Sequence, residues 1–275
     1  MRKIAFSFAP LVADEAQGVI IRRAIGGDRM MLLDPFLLLD HVTIDPAHGS
    51  GEIGFPRHPH RGIETLSYVI SGKVSHRDSL GNSGQVGAGG TQWMTAGNGI
   101  FHEEMLAPEE GAGEFLQLWT NLPAASKRIP AGYVGAESVP VVSEGDATVR
   151  VIAGEFGGVA GAFSDIAVSP TILDIELDIF GRVTLSGLGG KSAFAYVLKG
   201  AVRSEGEAVE GPTLAVFTDG ESLVLKAGED GARLFFGAAL PLGEPILQYR
   251  SLVMNTTDDI AETLAMIASD DFGKP

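Results

Sequence analysis

Phe55-Pro56-Arg57-His58-Pro59-His60-Arg61-Gly62-Ile63-Glu64 and Gly97-Asn98-Gly99-Ile100-Phe101-His102-Glu103-Glu104 are the two runs that decide how this chain is read. A β-strand sends alternate side chains to one face. His58 and His60 therefore share a face, and so do His102 and Glu104. Two neighbouring strands aimed at one point would bring together three imidazoles and a carboxylate. Such a donor set suits iron, copper, nickel, manganese or zinc rather than calcium or magnesium, which take oxygen ligands. A single buried histidine is usually an ordinary core residue. Two paired spacings in one chain argue for ligands.

Outward from these runs, the pattern is of strands. Short apolar stretches at Met31–Leu39, Glu64–Ile70, Phe115–Asn121, Ala147–Ala153, Ile172–Phe180, Ala193–Leu198, Thr213–Phe217, Leu223–Lys226 and Arg233–Ala239 are separated by Gly, Pro, Asn and Asp. That spacing predicts an all-β sandwich or barrel, and 37 glycines supply its turns. The stretch 122–146 carries Pro123, Pro130 and Pro140 with Gly132, Gly135 and Gly145, and reads as a connector between two β domains. Tyr68-Val69-Ile70-Ser71-Gly72-Lys73-Val74 is echoed by Tyr196-Val197-Leu198-Lys199-Gly200-Ala201-Val202, which suggests two units of similar size. The residues before Tyr196 hold no histidine, so the second unit is expected to lack a metal. One helix is predicted near the end. Thr256 or Thr257 would cap it, Asp258 and Asp259 would sit in its first turn, and Ile260, Leu264 and Ile267 would form its apolar stripe.

Composition narrows the function. The 275 residues can bury about three quarters of the surface of the unfolded chain. Net charge is −15, from 35 acidic and 20 basic residues. Such a surface repels a phosphate backbone, and no Lys/Arg cluster stands out, so direct nucleic-acid binding is not expected. Cysteine is absent, which excludes disulfides, thiolate metal sites and thiol nucleophiles. It also fits a reducing compartment, and a cytoplasmic location is expected. Pro10 interrupts the apolar run after Arg2-Lys3, so the N-terminus reads as a first strand rather than a secretory signal. No stretch approaches the ~20 apolar residues of a membrane helix.

Taken together, the runs resemble a known family. His-x-His-x3-Glu at 58–64 is similar to the first motif of the cupin β-barrels, and Gly99-x2-His102 to the end of the second. The fuller set resembles the pirin family. It comprises the run from Phe55 to Thr65, Gly81-Asn82, Gln92-Trp93-Met94-Thr95-Ala96-Gly97-Asn98-Gly99-Ile100, and His102-x-Glu104. Asp34-Pro35-Phe36, Leu116-Gln117-Leu118-Trp119 and Val253-Met254-Asn255-Thr256 extend it. Two stretches depart from that pattern: Gly89-Gly90-Thr91 lacks the usual Asp, and Gln248-Tyr249-Arg250-Ser251-Leu252 replaces a Gly-Pro-Phe version. Both are expected to affect local turns and packing rather than the site.

The resemblance implies a bicupin: two antiparallel jelly-roll β-barrels packed face to face, here expected at 1–135 and 136–275, the second ending in the short helix. It implies one mononuclear divalent metal in the first barrel, held by His58, His60, His102 and Glu104. Iron (Fe2+) is the usual occupant, with copper, nickel, manganese and zinc as alternatives. Some members open flavonols such as quercetin with dioxygen, and others act as redox-responsive partners of transcription factors. The expectation is therefore a quercetin 2,3-dioxygenase-type oxidoreductase acting on an aromatic, flavonol-like substrate and O2. The alternative is a metal-containing regulatory protein that docks on a protein partner.

Glu104 would act as catalytic base if it swings off the metal. Glu64 shares the face of His60, and in many other cupins that Glu is a ligand. The pirin pattern favours Glu104 and leaves Glu64 as an acceptor that orients an imidazole. Phe55, Met94 and Phe101 are candidate walls of a substrate pocket by adjacency. His76 and Asp78 share a face, which fits either a role at the site or an exposed pair near Gly81-Asn82. His41 and His48 read as loop residues, and Glu103 should point away from the metal.

Overall fold

The computed structural model describes residues 1–16, 18–44, 53–109, 113–269 and 271–274, without side-chain detail for 13–16. The chain is mostly β, with one α-helix among the described residues. It divides into two compact units. One comprises Val12–Gly26, Phe36–Ser138 and Leu242–Pro275; the other comprises Met1–Leu11, Gly27–Pro35 and Val139–Pro241. The first residues belong with the later unit because Ile4–Phe8 pairs antiparallel with Thr213–Phe217. The last residues belong with the earlier unit because Leu252 bridges Arg61.

The unit that holds all the described histidines has two larger sheets and a two-stranded ladder of Leu247–Tyr249 with Leu252–Met254. The larger runs in the order Gly132–Ala136, Thr91–Thr95, Ile63–Ser71, Glu114–Asn121, Phe36–Ile44, Val19–Ile25 and Leu11–Ala16. The smaller runs Ile53–His60, Ile100–Ala107, Lys73–Asp78, Ser83–Gly87. Val19, Ile21, Val42, Ile44, Val69 and Phe115 of the first sheet pack with Val74, Val86 and Leu106 of the second. Removing this apolar surface from water is the main force that holds the sheets together. Polar residues interrupt the inner faces where the candidate site lies.

In the other unit, one long strand, Ser222–Ala239, pairs with Arg182–Ser186 early on and with Thr171–Leu177 later. Ser192–Ser204 pairs along much of its length. The core there is aliphatic, with Val149, Val151, Leu173, Ile175, Leu223, Leu225 and Leu234 among its members. The internal echo is structural. Tyr68 and Tyr196 are each fully buried. Gly72 and Gly200 both have positive φ, +77° and +68°, which glycine adopts without strain.

Two readings change. The stretch 122–146 contributes strands of its own: Gly132–Ala136 pairs with Thr91–Thr95, and Val141–Glu144 pairs with Ala147–Ala153. Its glycines and prolines lower strand propensity, and pairing with a ready-made sheet edge overrides that. The helix, Thr257–Ala268, is capped by Thr256 in a capping box with Asp259. Leu264 is exposed rather than part of the apolar stripe, and Thr263 takes the buried place beside Ile260 because its hydroxyl receives a hydrogen bond from buried Arg61. No helix among the described residues is long and apolar enough to cross a membrane.

Candidate metal centre

The strands Ile53–His60 and Ile100–Ala107 run antiparallel, with His102 opposite His58 and Ile100 opposite His60. This register brings three imidazoles to one point. Their donor atoms all lie within 4.8 Å of one another. His58 Nε2 is 3.0 Å from His60 Nε2 and 3.1 Å from His102 Nε2. Nitrogens about 2.1 Å from one ion and at right angles to each other stand about 3.0 Å apart.

The other ring nitrogens say why these three converge. His58 Nδ1 lies 2.8 Å from the Pro56 carbonyl and His60 Nδ1 3.2 Å from the Ser251 carbonyl. A carbonyl only accepts, so each Nδ1 carries its ring's proton and each Nε2 is bare. Two bare nitrogens facing each other at 3.0 Å repel unless a cation lies between them. Burial, then the neighbouring charge of His58, pushes the His60 pKa down to about 3, against a smaller opposing effect from the Ser251 hydrogen bond. Burial also holds His102 well below the ordinary histidine value, aided by charge on His60, His58 and His76. At neutral pH the His60 and His102 rings are neutral, as metal binding requires. The residues therefore fit a divalent ion.

The supports come from far along the chain. Ser251 Oγ donates to the Pro59 carbonyl at 2.6 Å, and the Val253 amide donates to the Arg61 carbonyl at 3.0 Å. Gly62 has φ +75° beside this segment, and a Cβ there would fall on the Val253 carbonyl oxygen. Lys127 Nζ donates to the Gly62 carbonyl, the Val253 carbonyl and Asn121 Oδ1 at 2.6–2.9 Å. Arg61, fully buried, donates to Thr263 Oγ1 at 2.7 Å and to Asn98 Oδ1 at 3.0 Å. These bonds fix the turn that follows His60.

Glu104 is buried on the same strand as His102, past a register shift between the two. Its Oε1 accepts from Ser67 Oγ at 2.6 Å and Gln92 Nε2 at 2.7 Å, and its Oε2 accepts from Gln117 Nε2. The carboxylate therefore stands outside the group of three imidazoles. Glu64 is also buried and outside that group; its Oε1 accepts from Thr95 Oγ1 at 2.8 Å. Glu103 faces the other way, 3.9 Å from Arg77.

Of the expected pocket residues, Met94 is buried in a cluster with Ile63, Ile100 and Trp119. Phe55 packs edge-on to Phe115 with ring centres 6.4 Å apart. Phe101 is turned to the opposite face from His102 by strand alternation; it lies under Arg57 and against Phe272. The aromatic side chain at the imidazoles is Trp119, edge-to-face on His60 at 4.9 Å. His41 is not in a loop: it is buried in Phe36–Ile44, 2.7 Å from Glu114. His48 lies outside the described residues.

Sequence reasoning left Ser67, Gln92, Gln117, Trp119 and Tyr133 without a role, and it assigned the Gln248–Leu252 stretch to local packing, whereas the Ser251 carbonyl meets His60 Nδ1. For Ser67 and Gln117 the signal was a polar side chain between apolar strand neighbours. His76 and Asp78 resolve toward the site, since both are buried and His76 Nδ1 is 3.4 Å from His102 Nδ1.

Comparison with known proteins agrees. Residues 18–120 match the Pirin family and residues 172–273 the Pirin C-terminal cupin domain. A Pseudomonas aeruginosa protein named "Putative quercetin 2,3-dioxygenase" is 42% identical over 263 residues, 92% of this chain and 91% of its own. "Pirin" of Homo sapiens is 35% identical over 273 residues, 96% of this chain and 91% of its own. The crystal structure of a quercetin 2,3-dioxygenase from Acinetobacter baumannii superposes with TM-score 0.90 at 32% identity, covering 99% of each chain.

Proposed function

The chain belongs to the pirin family, and on that premise we propose that it is a metal-dependent dioxygenase that opens flavonols such as quercetin with O2. One observation carries the reading: three imidazole nitrogens converge about one point, two of their separations 3.0 and 3.1 Å. The name and the structure of the quercetin dioxygenase relatives support the substrate class.

His58, His60 and His102 would hold a single divalent ion, with Glu104 as the fourth donor. Ferrous iron is the first choice, and copper, nickel, manganese and zinc suit the same donors. When bound, such an ion lowers the pKa of a coordinated hydroxyl and stabilises negative oxygen. The chain's own residues do the rest. Glu104 receives the proton of the flavonol 3-hydroxyl. Ser67, Gln92 and Gln117 hold its carboxylate as an acceptor until then. To join the imidazoles at an ion, Glu104 would give up part of this set, and it would act as base when swung back from the ion. Trp119, edge-to-face on His60, and Met94 of the same apolar cluster would border a flat aromatic ligand.

The test is aerobic turnover by ferrous-loaded protein. Quercetin loss should match oxygen uptake, and Glu104→Gln should abolish both. A Gln variant with the full rate would remove the base role. A second reading, a metal-containing protein that docks on a basic partner, draws on the net charge of −15. Quercetin added without air and then exposed to air separates the two: spectral loss on air supports the enzyme, and binding without loss supports the module. The absence of cysteine supports the cytoplasm as the place of action.

A further inference from the structure

We propose that Asp78, acting through His76, fixes the tautomer of His102 and so turns a bare nitrogen toward the metal point. The inference rests on the reading that the three imidazoles hold an ion. His58 and His60 have carbonyl acceptors that settle their tautomers. Among the described residues His102 has none; its Nδ1 meets a second imidazole, His76 Nδ1, at 3.4 Å. Either ring could be the donor in that contact. If His76 donates, His102 is left with its proton on Nε2, facing the metal point, and cannot bind there.

The choice is made one step further out. His76 Nε2 lies 3.1 Å from Asp78 Oδ2. An ionised carboxylate only accepts, so the neutral His76 ring carries its proton on Nε2 and offers Nδ1 as the acceptor. His102 must then donate from Nδ1, which leaves its Nε2 bare. Asp78 is well suited to remain ionised. Burial would raise its pKa, but hydrogen bonds from Asn82, His76 and Leu80 together outweigh that and hold it below the ordinary carboxylate range. The His76 ring is held in place by stacking on Tyr133, with centres 4.1 Å apart and planes 9° apart. The strand register that aligns the set puts Asp78 opposite His102 and His76 opposite Glu104. Asp78 and His76 are positioning residues; neither belongs to the three-nitrogen group.

The two oxygens of Asp78 make an isosteric test possible. Oδ1 accepts the amides of Leu80 at 2.9 Å and Asn82 at 3.0 Å. In Asp78→Asn those amides keep the carbonyl oxygen at that position, the Asn82 side-chain amide that donates to Oδ2 at 2.9 Å turns its own oxygen to the new NH2 group, and that NH2 group faces His76. Every donor and acceptor along the relay then reverses, and the His102 proton moves to Nε2.

Long-range proton–nitrogen correlation spectra of the metal-free, full-length protein read the tautomer directly, and zinc titration reads the affinity. Wild type should carry the His102 proton on Nδ1. Asp78→Asn should carry it on Nε2 and bind zinc 10–100-fold more weakly, the usual range for losing a partner of a ligating histidine. His76→Phe, which keeps a ring against Tyr133 and removes the acceptor, should weaken zinc binding by a similar factor. The proposal is overturned if wild-type His102 is protonated on Nε2. It is equally overturned if both variants bind zinc as tightly as wild type. A wild type with the Nδ1 tautomer that takes up no zinc supports the relay and sinks the metal reading instead.

Discussion

At the residue scale, the site depends on neutral imidazoles, and acid should expose this. An unfolded histidine titrates near 6.5, whereas folded His60 resists protonation until about pH 3. Its contribution to stability is thus intact above pH 6.5 and is lost as pH falls toward 3, at about 1.36 kcal/mol per unit. Metal-stripped protein should show a Tm that declines across that window. Substituting His60→Phe, which fills the space without a titrating group, should flatten the decline; an unchanged slope would assign it to other groups. His60→Ala or His102→Ala should copurify with no stoichiometric metal, as elemental analysis would record. Of these residues, His58, His60 and His102 were legible because period-two spacing survives folding. Alternation also placed Glu104 on the inner side of its strand. The side-chain donors that hold its carboxylate come from three other strands, and no spacing rule connects them. His76 and Asp78 were undecidable for the same reason: only the register of Lys73–Asp78 against Ile100–Ala107 brings them behind His102.

At the element scale, turns and caps transmit these positions. A Cβ on Gly84 would fall on the Tyr133 hydroxyl. That hydroxyl donates to Gln92 Oε1 at 2.9 Å, and the Tyr133 ring stacks on His76. Gly84→Ala should therefore weaken zinc affinity although it lies on a neighbouring strand, and calorimetric titration against wild type would measure the loss. Thr256→Ala removes the side chain that accepts from the Asp259 amide and should cost about 1 kcal/mol, read from denaturant midpoints. The helix, its cap and most strand cores were legible from periodicity and cap chemistry. The strand Gly132–Ala136 was not, because two glycines and a proline-rich approach conceal it; its stability comes from the edge of Thr91–Thr95. Leu264 failed as a stripe residue because a buried guanidinium, invisible to hydropathy, claims that face through Thr263.

At the scale of the whole molecule, the two-unit organisation was legible from the echo of Tyr68–Val74 in Tyr196–Val202, but the exchange of chain ends was not. Local patterns cannot reveal that residues 242–275 are built into the earlier unit. A chain ending at Pro241 keeps every ligating imidazole but lacks the Ser251 carbonyl, Val253 and Thr263. It should retain no tightly held metal, and stoichiometric metal in that truncated protein would show that His60 orients itself.

The Ser251 carbonyl lies 191 positions after the ring it orients. At about 5–20 residues per second of translation, roughly 10–40 s separate the emergence of the two. Throughout that interval the nascent polypeptide displays its histidines without the partner that fixes one of them. An ion held as proposed would therefore settle only after residue 251 has left the ribosome, well behind the histidines that would grip it.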